Sequence, residues 1–151
     1  PWQVVIDYAY EPEALRRSVE ALKAIPYTRL IHVLGSCGGG RDVARRPLLG
    51  AFAAQHAQLV IVTNEDPYDD DPHQIMEDVA SAVRKTGKQD GKDLFLVVNR
   101  YAAIAKALHL AVPGDLVLVT GKGSEQAMVV ANGKKIPWDD RQVVRDELAK
   151  L

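Results

Sequence analysis

The segment QLVIVTNEDPYDDDP, residues 58–72, decides the fold because an apolar run changes within it into a polar segment that ends in proline. Leu59–Thr63 consist mostly of β-branched and aliphatic residues, the composition of a strand that is covered on both faces. After Pro72, apolar residues recur at i, i+4, i+7 and i+8, which indicates a helix with one buried stripe. These residues are Ile75, Val79, Ala82 and Val83. The segment therefore predicts a strand, a loop and a helix in succession.

The same alternation of short apolar runs and helix-like segments continues along the chain. The predicted strands are Gln3–Ile6, Arg29–Leu34, Leu59–Thr63, Leu94–Val98 and Leu116–Thr120. The predicted helices are Pro12–Ala24, Arg46–His56, Pro72–Lys85, Tyr101–Ala111 and Asp139–Leu151. Strands that alternate with helices indicate parallel strands joined by crossover helices. We therefore predict a single Rossmann-like, doubly wound α/β domain with a mostly parallel sheet of about six strands.

The pattern changes after Thr120. Ala127–Ala131 and Lys134–Ile136 are two strand-like runs that flank Asn132-Gly133. An Asn-Gly pair favours the type I′ turn, because both of its central residues need positive φ. We predict a C-terminal hairpin.

Bulk composition limits the class of protein. The 151 residues are 47% hydrophobic and 26% charged, which is ordinary for one globular domain. A net charge of −1 gives no field that attracts nucleic acid or an anionic membrane, and no segment has the pattern of a membrane span or signal peptide. The single cysteine, Cys37, fits a reducing compartment, so we expect a cytoplasmic protein. Pro1–Asp7 resemble a strand entering a loop, so we expect the chain to begin inside a longer protein.

Ligands of doubly wound sheets bind beyond the carboxyl ends of the strands. The loops there are 7–11, 35–45, 64–71, 99–100 and 121–126. Residues 35–42 fit neither the Gly-x-Gly-x-x-Gly nor the Gly-x-x-x-x-Gly-Lys-Ser/Thr pattern of phosphate-binding loops. Arg41, Arg45 and Arg46 offer forked guanidinium groups suited to a carboxylate or phosphate. Alternatively, these arginines pair with the neighbouring acidic loop, and the spacing favours neither interpretation.

Two other loops carry charged candidates. In Gly121–Gln126, Lys122 could neutralise an anion and Glu125 could hold an ammonium group, although the loop taken by itself favours a simple turn into the hairpin. The acidic loop lacks the glycine and glutamate positions of a calcium-binding EF-hand. Asp70 and Asp71 precede a proline that opens a helix, so we interpret them as helix-entry residues. No group of residues has the spacing of a metal site.

Taken together, these loops resemble those of the C-terminal domain of the Mur ligases, most like the members that add the third residue to UDP-N-acetylmuramoyl-L-alanyl-D-glutamate. The motifs that carry the resemblance span the chain. They are Val5–Pro12 (V-D-Y-A-H-T-P in the family), Gly39–Asp42 with Arg46–Gly50 (G-D-R-D and K-R-P-L-M-G), Thr63–Pro67 (T-D-D-N-P), Gly121–Glu125 (G-K-G-H-E) and Lys135–Arg141 (K-I-P-F-D-D-R).

The resemblance implies roles for individual residues. Asp7 and Tyr10 would lie at the ATP, with Asp7 on its ribose. Arg41 would bind the α-carboxylate of the incoming amino acid, and the Gly121 carbonyl with the Glu125 carboxylate would bind an ammonium group. The segment Glu65, Asp66 and Tyr68 would select the amino-acid side chain. No catalytic residue and no metal ligand is expected in this domain.

Departures from the family motifs bear on the substrate. Members that add meso-diaminopimelate carry D-N-P-R, whose Asn and Arg hold the distal carboxylate, whereas this chain has Asp66 and Tyr68 at those positions. Buried, unpaired anions at this place would repel a carboxylate. We therefore predict lysine or ornithine ahead of diaminopimelate. Tyr10, Glu11 and Ser124 also replace the family's His, Thr and His.

The resemblance further implies that other domains are needed for activity. The family holds its phosphate-binding loop and Mg²⁺ ligands in a central ATPase domain and the UDP-linked substrate partly in an N-terminal domain, and neither is contained in residues 1–151. ATP, Mg²⁺, an amino acid and the UDP-N-acetylmuramoyl dipeptide are the expected ligands of the whole enzyme, and the isolated domain is expected to be inactive. The alternatives are another ligase of the superfamily, such as folylpolyglutamate synthase, and a stand-alone binding module without chemistry.

Overall fold

A five-stranded parallel sheet forms the centre of the computed structural model, which describes residues 1–151. Its strands are β1 (Gln3–Asp7), β2 (Arg29–Leu34), β3 (Leu59–Thr63), β4 (Leu94–Val97) and β5 (Asp115–Thr120). The order across the sheet is β1-β5-β2-β3-β4, and every neighbouring pair is parallel. The predicted doubly wound α/β fold is confirmed, with five strands in the main sheet rather than about six.

Five α-helices connect or follow these strands, as the sequence predicts. They are α1 (Pro12–Leu22), α2 (Arg45–His56), α3 (Pro72–Arg84), α4 (Arg100–Leu110) and α5 (Asp140–Leu148). The predicted ends of most helices are one to three residues away from the observed ones, which is within the usual uncertainty of fraying termini. None of the five combines the length and the apolar character that a bilayer-spanning helix requires.

Two apolar cores lie on opposite faces of the sheet because successive side chains of a strand alternate in direction. In β2, Leu30 and Leu34 face α1, α2 and α3, whereas Ile31 and Val33 face α4 and α5. All four side chains are buried. This double coverage explains why the strands are nearly continuous apolar runs in the sequence.

Helices α2 and α3 approach closely at Gly50. A Cβ atom built on Gly50 would lie 2.1 Å from the backbone carbonyl oxygen of Val79. Neither backbone can move away without disturbing the core, since Val79 is fully buried. The glycine is therefore required by packing and not by backbone conformation.

The three aspartates at 69–71 have different roles in the structure. Asp71 caps α3 by accepting a hydrogen bond from the His73 amide at 2.9 Å, as predicted for a helix-entry residue. The same expectation is wrong for Asp70, which lies in a turn closed by its amide and the Pro67 carbonyl and forms an ion pair with Arg46. Asp69 accepts a hydrogen bond from the Asn132 amide at 2.7 Å.

The C-terminal hairpin forms a separate antiparallel sheet of β6 (Ala127–Val130) and β7 (Lys134–Pro137). Asn132 and Gly133 have φ of 60° and 64°, and the Lys134 amide donates to the Ala131 carbonyl. The expected pair of left-handed turn residues is thus present. Val130 pairs with Lys134, so three residues rather than two separate the paired positions.

We predict that Gly50→Ala destabilises the domain by about 1–3 kcal/mol, because the added methyl group must displace backbone atoms of α3. Urea unfolding of the 151-residue chain measures this loss. The exposed Gln55→Ala on the same helix is the matched control and should change stability by less than about 0.5 kcal/mol. A Gly50→Ala variant as stable as the parent would contradict the close packing of α2 on α3.

Candidate amino-acid-binding site

The candidate site lies at the carboxyl ends of β2, β3 and β5. The chain leaves β2 toward α2 on one face of the sheet and leaves the adjacent β5 toward the hairpin and α5 on the other. Loops that diverge in this way open a crevice at the edge of the sheet, which is where ligands bind in doubly wound folds. A cavity of about 400 Å³ occupies this crevice.

The cavity gathers every predicted site residue except Asp7. Its lining includes Tyr10, Arg41, Glu65, Asp66, Tyr68, Gly121 and Glu125. The hairpin also lines the cavity, through residues such as Val129 and Lys135, and no pattern in the sequence predicted this. These two residues are paired across the hairpin, and paired residues point to the same face.

Glu125 is held by two side chains. The Tyr8 hydroxyl donates to Oε1 at 2.9 Å, and the Lys122 ammonium lies 2.6 Å from Oε2. The hydrogen bond with Glu125 raises the pKa of Tyr8 to about 12, so the phenol remains a donor at neutral pH. The Glu125 side chain is 37% exposed, which leaves its carboxylate open to a ligand.

Lys122 is almost completely buried, although it lies in a loop, where a lysine is usually exposed. Its side chain is 1% exposed, and Nζ donates to both Asp66 oxygens at 2.9 and 3.0 Å. Burial lowers the pKa of Lys122, but the hydrogen bonds to Glu125 and Asp66 outweigh burial and raise it overall. Asp66 also accepts from the Val129 amide at 2.8 Å. The carboxylate predicted to face the substrate is therefore already paired within the protein.

Glu65 is buried behind Gly121. A Cβ atom on Gly121 would lie 2.4 Å from Glu65 Oε2, and Gly121 has φ of 107°, so both space and conformation require glycine here. Burial raises the pKa of Glu65, which the positive charge of Arg100 opposes. The Cys37 thiol donates to Glu65 Oε1 at 3.4 Å. Glu65 is thus a wall of the cavity rather than an exposed anion.

The three arginines of the glycine-rich loop differ in their surroundings. Arg46 is paired with Asp78 and Asp70 and donates to the Cys37 carbonyl. Arg45 is paired with Glu11, and its guanidinium lies 5.6 Å from the ring centre of Tyr10. Arg41 lines the cavity, is exposed, and forms no ion pair with any carboxylate of the chain. Pairing with acidic residues therefore explains Arg45 and Arg46, and Arg41 remains available for an anion.

Of the two predicted nucleotide contacts, Tyr10 lines the cavity and Asp7 does not. The Asp7 carboxylate accepts from the Ala9 amide at 3.1 Å and from the Ser18 hydroxyl at 2.6 Å, outside the cavity lining. Each of its oxygens keeps a free lone pair, and the side chain is partly exposed. Tyr10 contacts the Tyr8 ring edge to face, with ring centres 5.2 Å apart. Tyr8 therefore connects Tyr10 with Glu125.

Tyr68 is one of two non-glycine residues with positive φ, at 53°. Its amide donates to the Val129 carbonyl at 3.2 Å, which fixes the loop against β6. The proximity of the Tyr68 side chain raises the pKa of Arg41, so the two side chains are neighbours in the cavity lining. The structure contains no group of three His, Cys, Asp or Glu side chains that could hold a metal ion.

A family model described as Mur ligase, glutamate ligase domain, matches residues 1–123. The chain belongs to the Mur ligase family. It is 37% identical over 145 residues to the UDP-N-acetylmuramoyl-L-alanyl-D-glutamate–2,6-diaminopimelate ligase of Syntrophomonas wolfei, a match that covers 96% of this chain and 29% of that protein. It is 36% identical over 151 residues to the UDP-N-acetylmuramyl-tripeptide synthetase of a Roseiflexus species, covering 100% of this chain and 29% of that protein.

Solved structures of Mur ligases agree with the fold. A structure titled UDP-N-acetylmuramoyl-L-alanyl-D-glutamate–2,6-diaminopimelate ligase superposes with a TM-score of 0.83 at 34% identity, over 97% of this Mur ligase chain and 29% of that one. The chain therefore spans less than a third of the length of the relatives it matches.

We predict that Cys37 reacts slowly with thiol reagents, because burial, followed by the nearby charges of Glu65 and Asp66, raises the pKa of this thiol to about 12. At pH 8, alkylation by iodoacetamide should be more than about a hundredfold slower than for an ordinary surface thiol, since only the thiolate reacts. Mass spectrometry follows the reaction. The control is Gln55→Cys in a Cys37→Ser background, and equal rates for the two thiols would contradict the raised pKa of the partly buried Cys37.

Proposed function

We propose that this chain is the amino-acid-binding domain of an ATP-dependent ligase that adds the third amino acid to UDP-N-acetylmuramoyl-L-alanyl-D-glutamate. The observation that carries the proposal is one cavity with an unpaired guanidinium, Arg41, and a carboxylate held in place, Glu125. An amino acid needs a fixed cation for its carboxylate and a fixed anion for an ammonium group. The names of the relatives support the same reaction.

In the proposed reaction, ATP phosphorylates the side-chain carboxylate of D-glutamate, and the amine of the amino acid attacks the acyl phosphate to release phosphate. The contribution of this chain is to orient the amine. Arg41 binds the α-carboxylate, while Glu125 and the Gly121 carbonyl bind the ammonium group at the other end. Fixing both ends converts an encounter between two molecules into a reaction within one complex. The product is a peptidoglycan precursor, so we propose a cytoplasmic enzyme.

The nucleotide would lie on the side of Asp7 and Tyr10. Free lone pairs on the Asp7 carboxylate fit the hydroxyl groups of a ribose, and Tyr10 presents an aromatic ring close to Arg45. ATP supplies the phosphoryl group when bound. The chain offers no cluster of Mg²⁺ ligands, so we assign Mg²⁺ and the UDP-linked dipeptide mainly to the remaining domains of a longer enzyme.

We further propose that lysine or ornithine is preferred over diaminopimelate. Tyr68 occupies the family position of the Arg that holds a distal carboxylate, and a phenol provides no positive charge. Asp66 occupies the position of the Asn, and its acceptors are engaged by Lys122 and the Val129 amide. Relatives that are named as diaminopimelate ligases leave this preference open to experiment.

We expect Arg41→Met in the full-length ligase to raise the KM for the amino acid about 10- to 150-fold, which corresponds to the loss of a charge-assisted hydrogen-bonded contact of about 1.5–3 kcal/mol. Steady-state kinetics with the UDP-linked dipeptide measures the change. The KM for ATP should remain essentially constant. Arg17→Met, on the exposed face of α1, is the control and should behave as the parent. An unchanged KM in Arg41→Met would refute the assignment of the α-carboxylate.

We also expect kcat/KM of the full-length ligase to be higher for lysine or ornithine than for diaminopimelate, because Tyr68 supplies no cation for a second carboxylate at the position of the family's Arg. Tyr68→Arg should raise the relative value for diaminopimelate by about tenfold, as expected of one new ion pair in a partly buried site. Diaminopimelate used as well as lysine by the parent would contradict this preference.

A further inference from the structure

The buried ammonium group of Lys122 lies between two carboxylates that face the amino-acid cavity. It donates to Asp66 at 2.9 and 3.0 Å and to Glu125 at 2.6 Å. With a side chain only 1% exposed, Lys122 has almost no contact with water and depends on these two partners. Buried lysines are paired because an isolated charge is costly to desolvate.

We infer that Lys122 is a specificity-determining residue that sets the net charge of the side-chain end of the cavity. Asp66, Lys122 and Glu125 together carry a formal charge of −1. The group therefore attracts one ammonium, at Glu125, and Asp66 does not recruit a second one. This inference rests on the proposed function and names the chemical reason for its substrate preference.

The other charged residues of the cavity are the same in the parent and in every variant of the set. Arg45 is paired with Glu11, Glu65 is buried behind Gly121, and Arg41 lies beside Tyr68. Lys135 lies on the exposed hairpin and forms no ion pair. Differences in charge between the variants therefore arise within the set of three.

A merely structural role for Lys122 makes a different prediction. Asp66 joins the acidic loop to β6 through the Val129 amide, and Lys122 could serve only to hold this carboxylate. Loss of a purely structural contact would lower kcat/KM for every amino acid in the same proportion. If Lys122 sets the charge of the site, its substitution by a neutral residue changes the ratio of kcat/KM between diaminopimelate and lysine. A cationic and an anionic side chain respond oppositely to the same charge.

The test is a double-mutant cycle in the full-length ligase, with kcat/KM measured for lysine and for diaminopimelate. Asp66→Asn makes the set neutral and leaves Lys122 short of one partner, so the diaminopimelate-to-lysine ratio should rise about tenfold. Asp66→Asn combined with Lys122→Met restores the charge of −1 with side chains of similar shape. Its ratio should return to within about threefold of the parent.

Lys122→Met completes the cycle, and Lys122→Arg is a control that retains the charge. Lys122→Arg keeps the charge and should keep the parental ratio. Lys122→Met makes the set −2 and should shift the ratio further toward lysine. Because this variant leaves Asp66 unpaired and can fail to fold, the decisive comparison is between Asp66→Asn and the double variant.

The outcomes separate this inference from the proposed function. Equal ratios for Asp66→Asn and the double variant would overturn the role of Lys122, as would a double variant that loses both activities in the same proportion. A parent enzyme that adds none of these amino acids to the UDP-linked dipeptide would overturn the proposed function. In that event, denaturant unfolding of the 151-residue chain still tests the pairing: additive losses in the same cycle would refute it.

Discussion

The arrangement of the site depends on one fully buried ion pair, between Arg100 at the start of α4 and Asp140 at the start of α5. The guanidinium contacts the Asp140 carboxylate twice, at 2.8 and 2.7 Å, and donates to the carbonyls of Thr120 and Asn64. Trp138 donates to the same carboxylate at 2.8 Å. The ends of β3 and β5, and hence both loops of the cavity, are thus attached to α5. Loss of one partner of such a pair typically costs about 3–5 kcal/mol.

Because the loops after β3 and β5 are both attached to α5, their charged side chains lie close together. Apart from each other, the same side chains would be hydrated. The loop after β3 delivers Glu65 and Asp66, and the loop after β5 delivers Lys122 and Glu125. Inside the domain one lysine is shared by two carboxylates, since Lys122 makes two hydrogen bonds to Asp66 and a 2.6 Å ion pair with Glu125, which leaves a formal charge of −1. Glu125 keeps exposure and negative charge. The polarity of the cavity is therefore a result of pairing among its own walls and not of a simple count of acidic residues.

The hairpin has a larger part in this site than its position after the last parallel strand indicates. Asp66, Tyr68 and Asp69 each bond to its backbone, at Val129 or Asn132. The acidic loop thus binds β6, and β6 in turn closes the cavity. A loop that is ordered in this way presents its side chains in a fixed geometry, which the proposed selection between similar amino acids requires.

The sequence by itself determined the alternation of strands and helices, the Asn-Gly turn and the loops that line the cavity, because these depend on local periodicity and on the rule that strand ends share one edge. Its motifs also identified the family, which the family model confirms. It could not distinguish Asp70 from Asp71, or Arg41 from Arg45 and Arg46, since the ion-pair partners of Asp70, Arg45 and Arg46 are distant along the chain. Only the tertiary structure decided the order of the five strands, the burial of Lys122 and the pairing of Asp66. Burial makes an ion pair obligatory, and which residues are buried together depends on how the whole chain packs.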